Sequence, residues 1–277
     1  MAEITNGMRL RRRIDAGTWR LTFGATVALA LLLLLVPTFI ALAASFNGGE
    51  SLRFPPRDLS LRWYQALWNE SDDIWTAFGI SLRVSSLATL GATLLATPAA
   101  LYLARQQTAR ARALETLFQS PMMLPGISLG LAMLVWLQMI GVPLSYWSLV
   151  IGHMAIATPY IVRTALIGFG QIDPSLLEAS RSLGAGGLRT FVRVTLPLAL
   201  PAVLAGGFIA FMFSFDNVPI SLFLSDARSE VLPIRLWNLI ENLLDVRAAA
   251  VAGALIVFTI VFALVMERVL GVSRYVR

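Results

Sequence analysis

The chain contains no cysteine and no lysine. The first absence removes disulfides, thiolate metal ligands and cysteine nucleophiles. The second removes the glycine-rich loop whose lysine cradles nucleotide phosphates, so any ATP hydrolysis linked to this protein has to come from a partner. One histidine, His153, cannot by itself build a histidine metal site. Charge is sparse as well: 14% of the residues are charged against 57% hydrophobic, with a mean hydropathy of +0.73. In a chain of 277 residues that balance points to a polytopic membrane protein. The net charge of +6, its positive side all arginine, would suggest nucleic acid for a soluble protein; here its distribution reports orientation in a bilayer, and no nucleic-acid partner is expected. No internal repeat is evident, which counts against a secondary transporter built from two matching halves.

Long apolar runs are what the chain has in quantity. Arg9, Arg11, Arg12, Arg13 and Arg20 precede a run from 21 to 44, long enough at about 1.5 Å per residue to cross a hydrocarbon core about 30 Å thick. Ala41-Leu42-Ala43 resembles a signal-peptidase site, so a cleaved signal and an uncleaved anchor both stand open; the run exceeds the usual signal core of about 7–15 residues, which favours the anchor. Residues 45–74 are mixed, with Pro55-Pro56 and Trp63, Tyr64, Trp68 and Trp75, as in an external loop ending in an interfacial aromatic belt. Further spans are expected at 75–104, 117–140, 147–169, 198–224 and 248–270, six in all. Fourteen arginines fall in 1–20, 105–116, 170–197 and 268–277, against six in 45–74, 141–146 and 225–247. The first set, with both termini, is therefore expected in the cytoplasm. The expected organisation is all-α and integral to the membrane: a cytoplasmic tail 1–20, a six-helix transmembrane domain 21–270 and a cytoplasmic tail 271–277. Arg83 and Arg163 lie near span ends, where a long side chain reaches the interface. The outer segments carry nine acids against their six arginines, a mixed face that suits a docked soluble partner or a solvated loop surface equally.

The long polar interruption 171–197 has its own local logic. Asp173 is placed to cap a helix with Pro174 in its first turn, and Leu176, Leu177, Ala179, Ser180 and Leu183 follow at helical spacing until Gly184. After Gly186 and Gly187 a second short helix is expected from Leu188, with Phe191, Val192 and Leu196 available for burial, ending at Pro197 and Pro201. The product is a helix–turn–helix elbow between two spans. Further on, Ser214, Asp216, Asn217 and Ser221 interrupt the fifth span. Around a continuous helix Ser214, Asn217 and Ser221 fall within about 60° and Asp216 about 100° from Asn217, one wall of a cavity. An ionisable residue at membrane depth is a functional candidate by default, although an acid paired with Arg83, or lying at the interface, is the plainer account.

A rival reading rests on Gly126-Ile127-Ser128-Leu129-Gly130, which matches the G-x-S-x-G nucleophile pattern and, with His153, evokes an intramembrane serine hydrolase. That pattern needs a strand-to-helix turn, whereas this copy sits in an apolar helical run where small residues more simply permit close packing.

The elbow resembles the EAA loop of the membrane subunits of bacterial binding-protein-dependent ABC importers. In that family Glu-Ala-Ala is followed after three residues by Gly and after nine more by Ile-x-Leu-Pro; here Glu178, Ala179 and Ser180 precede Gly184, and Val194, Thr195, Leu196 and Pro197 complete the spacing with two conservative departures. Elsewhere Ile80-Ser81-Leu82, Pro98-Ala99-Ala100, Pro121-Met122-Met123-Leu124-Pro125, Ser214 to Ser221 and Leu232-Pro233-Ile234 are similar to the second permease component of spermidine/putrescine-type importers. The resemblance implies a type I importer permease of the bacterial inner membrane, itself no enzyme and without a cofactor of its own. It also implies two cytoplasmic ATPase subunits that bind the ATP, a paralogous permease, a periplasmic solute-binding protein, and alternating access. It assigns coupling to Glu178, Ala179, Ser180, Gly184, Leu196 and Pro197, and the substrate path to Ser214, Asp216, Asn217 and Ser221. One of the two acids that the family carries in the fifth span is Asn217 here, and an acid often found after the third span's Met-Pro is Gly126. Fewer carboxylates suit a monocation or zwitterion better than a multiply charged polyamine, and the resemblance also admits opines, amino-acid-like compounds and other small organics as substrates.

Overall fold

The computed structural model of the chain describes residues 2–51, 54–243 and 246–270; the expected tail 271–277, Arg53 and Asp245 lie outside the described residues. In chain order its helices are α1 (Ala2–Ala44), α2 (Arg62–Asn69), α3 (Asp72–Ala104), α4 (Ala109–Met123), α5 (Gly126–Met139), α6 (Tyr146–Gly170), α7 (Pro174–Ser182), α8 (Gly187–Thr190), α9 (Leu196–Phe215), α10 (Val218–Leu224), α11 (Leu232–Leu243) and α12 (Arg247–Leu270), with a π-turn, Phe191–Thr195, between α8 and α9. Among the described residues five helices are long and apolar enough to cross a membrane, and six if the bent pair α4 and α5 forms one span.

Two compact units divide the chain. The first holds α1, most of α2 and the start of α12. Helix α1 runs without interruption from Ala2, so the tail expected at 1–20 and the first span are one element. Its isolated glycines weaken a helix without ending it, and its one proline, Pro37, comes late. Residues 45–74, expected as an external loop, are folded in part. Tyr64 Oη donates to Ser45 Oγ at 2.7 Å, Trp63 Nε1 donates to the Gly49 carbonyl at 3.1 Å, and Asn47 bridges to Leu59.

The second unit is organised on α3, α6 and α9. Ala88, Ala92, Ala96 and Ala100 recur every fourth residue on α3 and are all fully buried. Ala88 packs with Leu149, Val150 and Ile156 of α6, and Ala92, Ala96 and Ala100 meet Ala157, Ile161 and Ala165 of α6 and Ala199, Val203 and Ala210 of α9. Small residues in register let the helix backbones approach closely, which is how membrane helices associate when lipid is as apolar as leucine. On the far side of α3 Leu90, Leu94 and Leu95 stay exposed, as a lipid-facing surface requires.

The span expected at 117–140 is not one straight helix: α4 and α5 meet at 106°. Pro125 disfavours the helical region for the residue before it, and Leu124 is extended at φ −88°, ψ 140°. The bend sends α4 along α6 and α5 against α10. The described residues of the segment 225–247 are also more ordered than an outer loop. Arg235 of α11 pairs with Asp73, and with Glu230 at 3.8 Å, while the Leu232 N–H donates to Ser81 Oγ at 2.8 Å. These contacts fasten α11 to α3 and pair two of the nine outer acids within the chain.

Candidate functional site

The elbow forms as its local chemistry dictates. Asp173 accepts the Ser175 N–H at 2.9 Å as the N-cap of α7, and that backbone hydrogen bond holds its carboxyl below the usual carboxylate range. Pro174 occupies the first turn, where a missing N–H costs nothing. Leu183 caps the end and Gly184 takes φ +79°, the left-handed conformation that favours glycine. Ser180 Oγ and Thr190 Oγ1 lie 3.0 Å apart, clasping α7 to α8 across the turn.

Beyond the turn the structure departs from expectation. The second helix does not end at Pro197 but continues as one rod, Gly187–Phe215. In a regular helix the Pro197 ring would collide with the Arg193 carbonyl four residues back. Arg193 lies in the π-turn, where the Leu196 N–H reaches back five residues to the Phe191 carbonyl, and the widened turn accommodates the ring. Leu196 and Pro197 are thus rod residues, half-buried and exposed respectively. Val192, expected to be buried, is exposed, while Phe191 and Leu196 are only half-buried. No residue of α7 is buried; Glu178 and Ala179 face outward, and Leu183 and Leu188 are 88% and 79% exposed.

At the other end of the rod the single helix expected through Ser214 and Ser221 is broken. Helix α9 ends at Phe215, Asp216 lies at φ −99°, ψ 9°, and Asn217 Oδ1 accepts the Ile220 N–H at 2.9 Å to start α10 with Pro219 in its first turn. An amide that caps and a proline at the next helix's start define a new N-terminus, which wins over continuing a helix across Pro219. Nothing in the sequence shows what His153 joins. Its Nδ1 is 2.8 Å from Ser214 Oγ and its Nε2 3.0 Å from Ser221 Oγ, so one imidazole on α6 holds both sides of the break. Ser221 Oγ donates its proton to the Asn217 carbonyl at 2.7 Å, which leaves Nε2 as the donor to Ser221 and Nδ1 as the acceptor from Ser214. His153, Ser214 and Ser221 are at most 1% exposed. Ser214, Asn217 and Ser221 are therefore turned into the bundle. Asp216 alone of the four is exposed, and it forms no ion pair among the described residues.

The rival nucleophile motif lies on α5, with Ser128 exposed and both nitrogens of His153 occupied by other serines. Its glycines serve packing. A Cβ on Gly126 would stand 3.1 Å from Pro219 Cβ, and one on Gly130 2.9 Å from the Pro219 carbonyl oxygen.

Residues 96–270 match the family of binding-protein-dependent transport system inner membrane components. The chain belongs to that family. It is 30% identical over 227 residues to the spermidine/putrescine transport system permease protein PotC of Haemophilus influenzae, covering 82% of this chain and 88% of that protein. It is 28% identical to the putrescine transport system permease protein PotI of Escherichia coli, over 79% of each. Its fold is that of a chain in the bacterial alginate ABC transporter solved with an alginate pentasaccharide-bound periplasmic protein, with a TM-score of 0.67 at 17% identity over 91% of this chain and 92% of that one. The chain is a multi-pass permease subunit of an ABC importer with the type I permease fold.

Proposed function

We propose that this permease moves a small organic cation or zwitterion inward by ATP-driven alternating access. In this reading it pairs with a paralogous permease, two cytoplasmic ATPase subunits that bind the nucleotide, and a periplasmic solute-binding protein. Both termini and the elbow lie in the cytoplasm, as the arginine distribution suggests. The observation that carries the reading is the connection between the exposed elbow and the exposed Asp216 through one uninterrupted rod. Glu178, Ala179, Ser180 and Gly184 form the surface on which an ATPase subunit seats, and Leu196 and Pro197 carry its displacement into the span. Asp216 lines the path, with Ser214, Asn217 and Ser221 fixing the backbone on either side of it. Relatives named for spermidine and putrescine support an amine substrate, and one carboxylate where the polyamine type carries two supports a smaller charge.

Asp216→Asn keeps the shape and most of the hydrogen bonding while deleting the charge. Uptake of a cationic substrate by the reconstituted importer should fall at least tenfold, with assembly and solute-protein binding unchanged. Normal uptake in this variant, or an anionic substrate, sinks the assignment of Asp216 to the path.

A further inference from the structure

A pocket of about 120 Å³ lies where α3 leaves its span, between the end of α3, the elbow helix α7 and the segment from α8 through the π-turn. Arg105 and Arg181 stand on its walls with Thr190 and Thr195, over apolar Leu101 and Phe191, and no acidic side chain lines it. Neither guanidinium makes an ion pair or a side-chain hydrogen bond among the described residues. Thr195 is 1% exposed and its hydroxyl has no partner among the described residues. Thr22, Thr26, Thr93, Thr116, Thr158 and Thr164 return their hydroxyls to the carbonyl four residues back, whereas Thr89 and Thr97 of α3, which line no part of this pocket, share with Thr195 a buried hydroxyl without a partner among the described residues. For Thr195 that carbonyl belongs to Phe191 and receives the Leu196 N–H of the π-turn instead. A buried hydroxyl left open costs free energy unless something fills the pocket.

We propose that this pocket binds the phosphate of an anionic phospholipid headgroup. Two guanidiniums match phosphate oxygens in planar, charge-assisted pairs, and the Thr195 hydroxyl donates to a third oxygen. The site sits at the end of membrane spans, where basic pockets between helices meet headgroups, and Leu101 and Phe191 suit the glycerol and upper acyl carbons. A zwitterionic headgroup would bring its own cation against Arg105 and Arg181 and is disfavoured. Thr190 lines the pocket and also bonds Ser180, so an occupied pocket steadies the clasp that closes the elbow. The assignment needs the membrane-spanning reading but none of the substrate reading, and it stands or falls separately from Asp216.

The test titrates short-chain phosphatidylglycerol, phosphatidylcholine of the same chain length, and inorganic phosphate into the full-length chain in uncharged detergent. Phosphatidylglycerol should bind about tenfold more tightly than phosphatidylcholine, R105Q/R181Q should abolish the preference, and the near-isosteric Thr195→Val should reduce it about threefold. If R105Q/R181Q does not fold, Arg105→Lys, which keeps charge but loses the planar fork, together with Thr195→Val decides the matter: both must weaken phosphatidylglycerol binding. Equal affinity for the two lipids overturns the proposal, as does a preference that survives in folded R105Q/R181Q. Inorganic phosphate binding as tightly as phosphatidylglycerol overturns the lipid source. An unchanged lipid preference combined with lost ATPase assembly would give the arginines to a carboxylate of the partner and overturn it too.

Discussion

His153 and Ser214 lie 61 positions apart and share a 2.8 Å hydrogen bond in the interior of the bundle, on one side of a helix break whose other side the same imidazole holds through Ser221. Removing the ring takes the acceptor from the buried Ser214 hydroxyl, takes one of the two partners of Ser221, and leaves a void. His153→Ala should cost roughly 2–5 kcal/mol and lower the detergent-solubilised melting temperature by several degrees. His153→Gln, which can still donate and accept, should recover part of the loss. A melting temperature unchanged by the alanine variant would mean that the break holds itself.

Gly184 tests the elbow. At φ +79° valine is strained by about 1–3 kcal/mol, whereas asparagine tolerates the conformation. Gly184→Val should cut solute-protein-stimulated ATP hydrolysis in the assembled importer severalfold while the chain still inserts, and Gly184→Asn should stay near the parent. Glu178→Ala should weaken retention of the ATPase on affinity purification. Full coupling in both Gly184→Val and Glu178→Ala would remove the elbow from its assigned role.

The α5–α10 contact separates packing from chemistry within one motif. Gly130→Leu drives a side chain into the Pro219 carbonyl and Phe223, and should destabilise by about 1–3 kcal/mol or more. Ser128→Ala should leave uptake within about twofold of the parent, since Ser128 is exposed. Serine-dependent hydrolysis by the purified chain, abolished by Ser128→Ala, would reverse the reading.

The Asp173 cap carries a pH signature. Its carboxyl is held below the usual range by the Ser175 N–H, so the folded state binds a proton less readily than the unfolded one. The cap's contribution is therefore complete above the ordinary carboxylate pKa and fades as pH falls through the lowered folded value. Amide exchange in the first turn of α7, corrected for its intrinsic rate, should rise across that acidic window in the parent. It should be raised at every pH in Asp173→Ala and show no such titration in Asp173→Asn. A parent profile flat through the window would dissociate the cap from the carboxylate.

Local signals were legible wherever a few neighbouring residues decide the outcome. Asp173-Pro174 and Gly184 bracket α7 by capping and backbone sterics alone, and the family spacing from Glu178 to Pro197 needs nothing beyond the letters. The breaks were harder to read. Pro125 and Pro219 sit in apolar runs that a hydropathy window joins into single spans, and only Asn217's cap shows that the second run restarts. Pro197 misled in the opposite direction, because a π-turn is a response of the surrounding helix that no local residue type announces. The bridge from α6 to both serines joins residues more than sixty positions apart, a distance that a single sequence does not pair.

The rod Gly187–Phe215 has 29 residues, roughly 43 Å at about 1.5 Å per residue. About two thirds of the way along it rests on α6, where Gly206 meets Thr164 and Ile161 and the neighbouring contacts are alanines, so the bearing surface there has low ridges. In the proposed cycle such a rod is a lever with its fulcrum nearer the Asp216 end. Tilting it by about 10° swings the elbow end through roughly 5 Å and the Asp216 end through roughly 2.5 Å in opposite directions, with no hinge and no helix melted between them. The stroke at Asp216 then follows from arm length and angle alone, and lengthening either arm by a helical turn would change it in proportion.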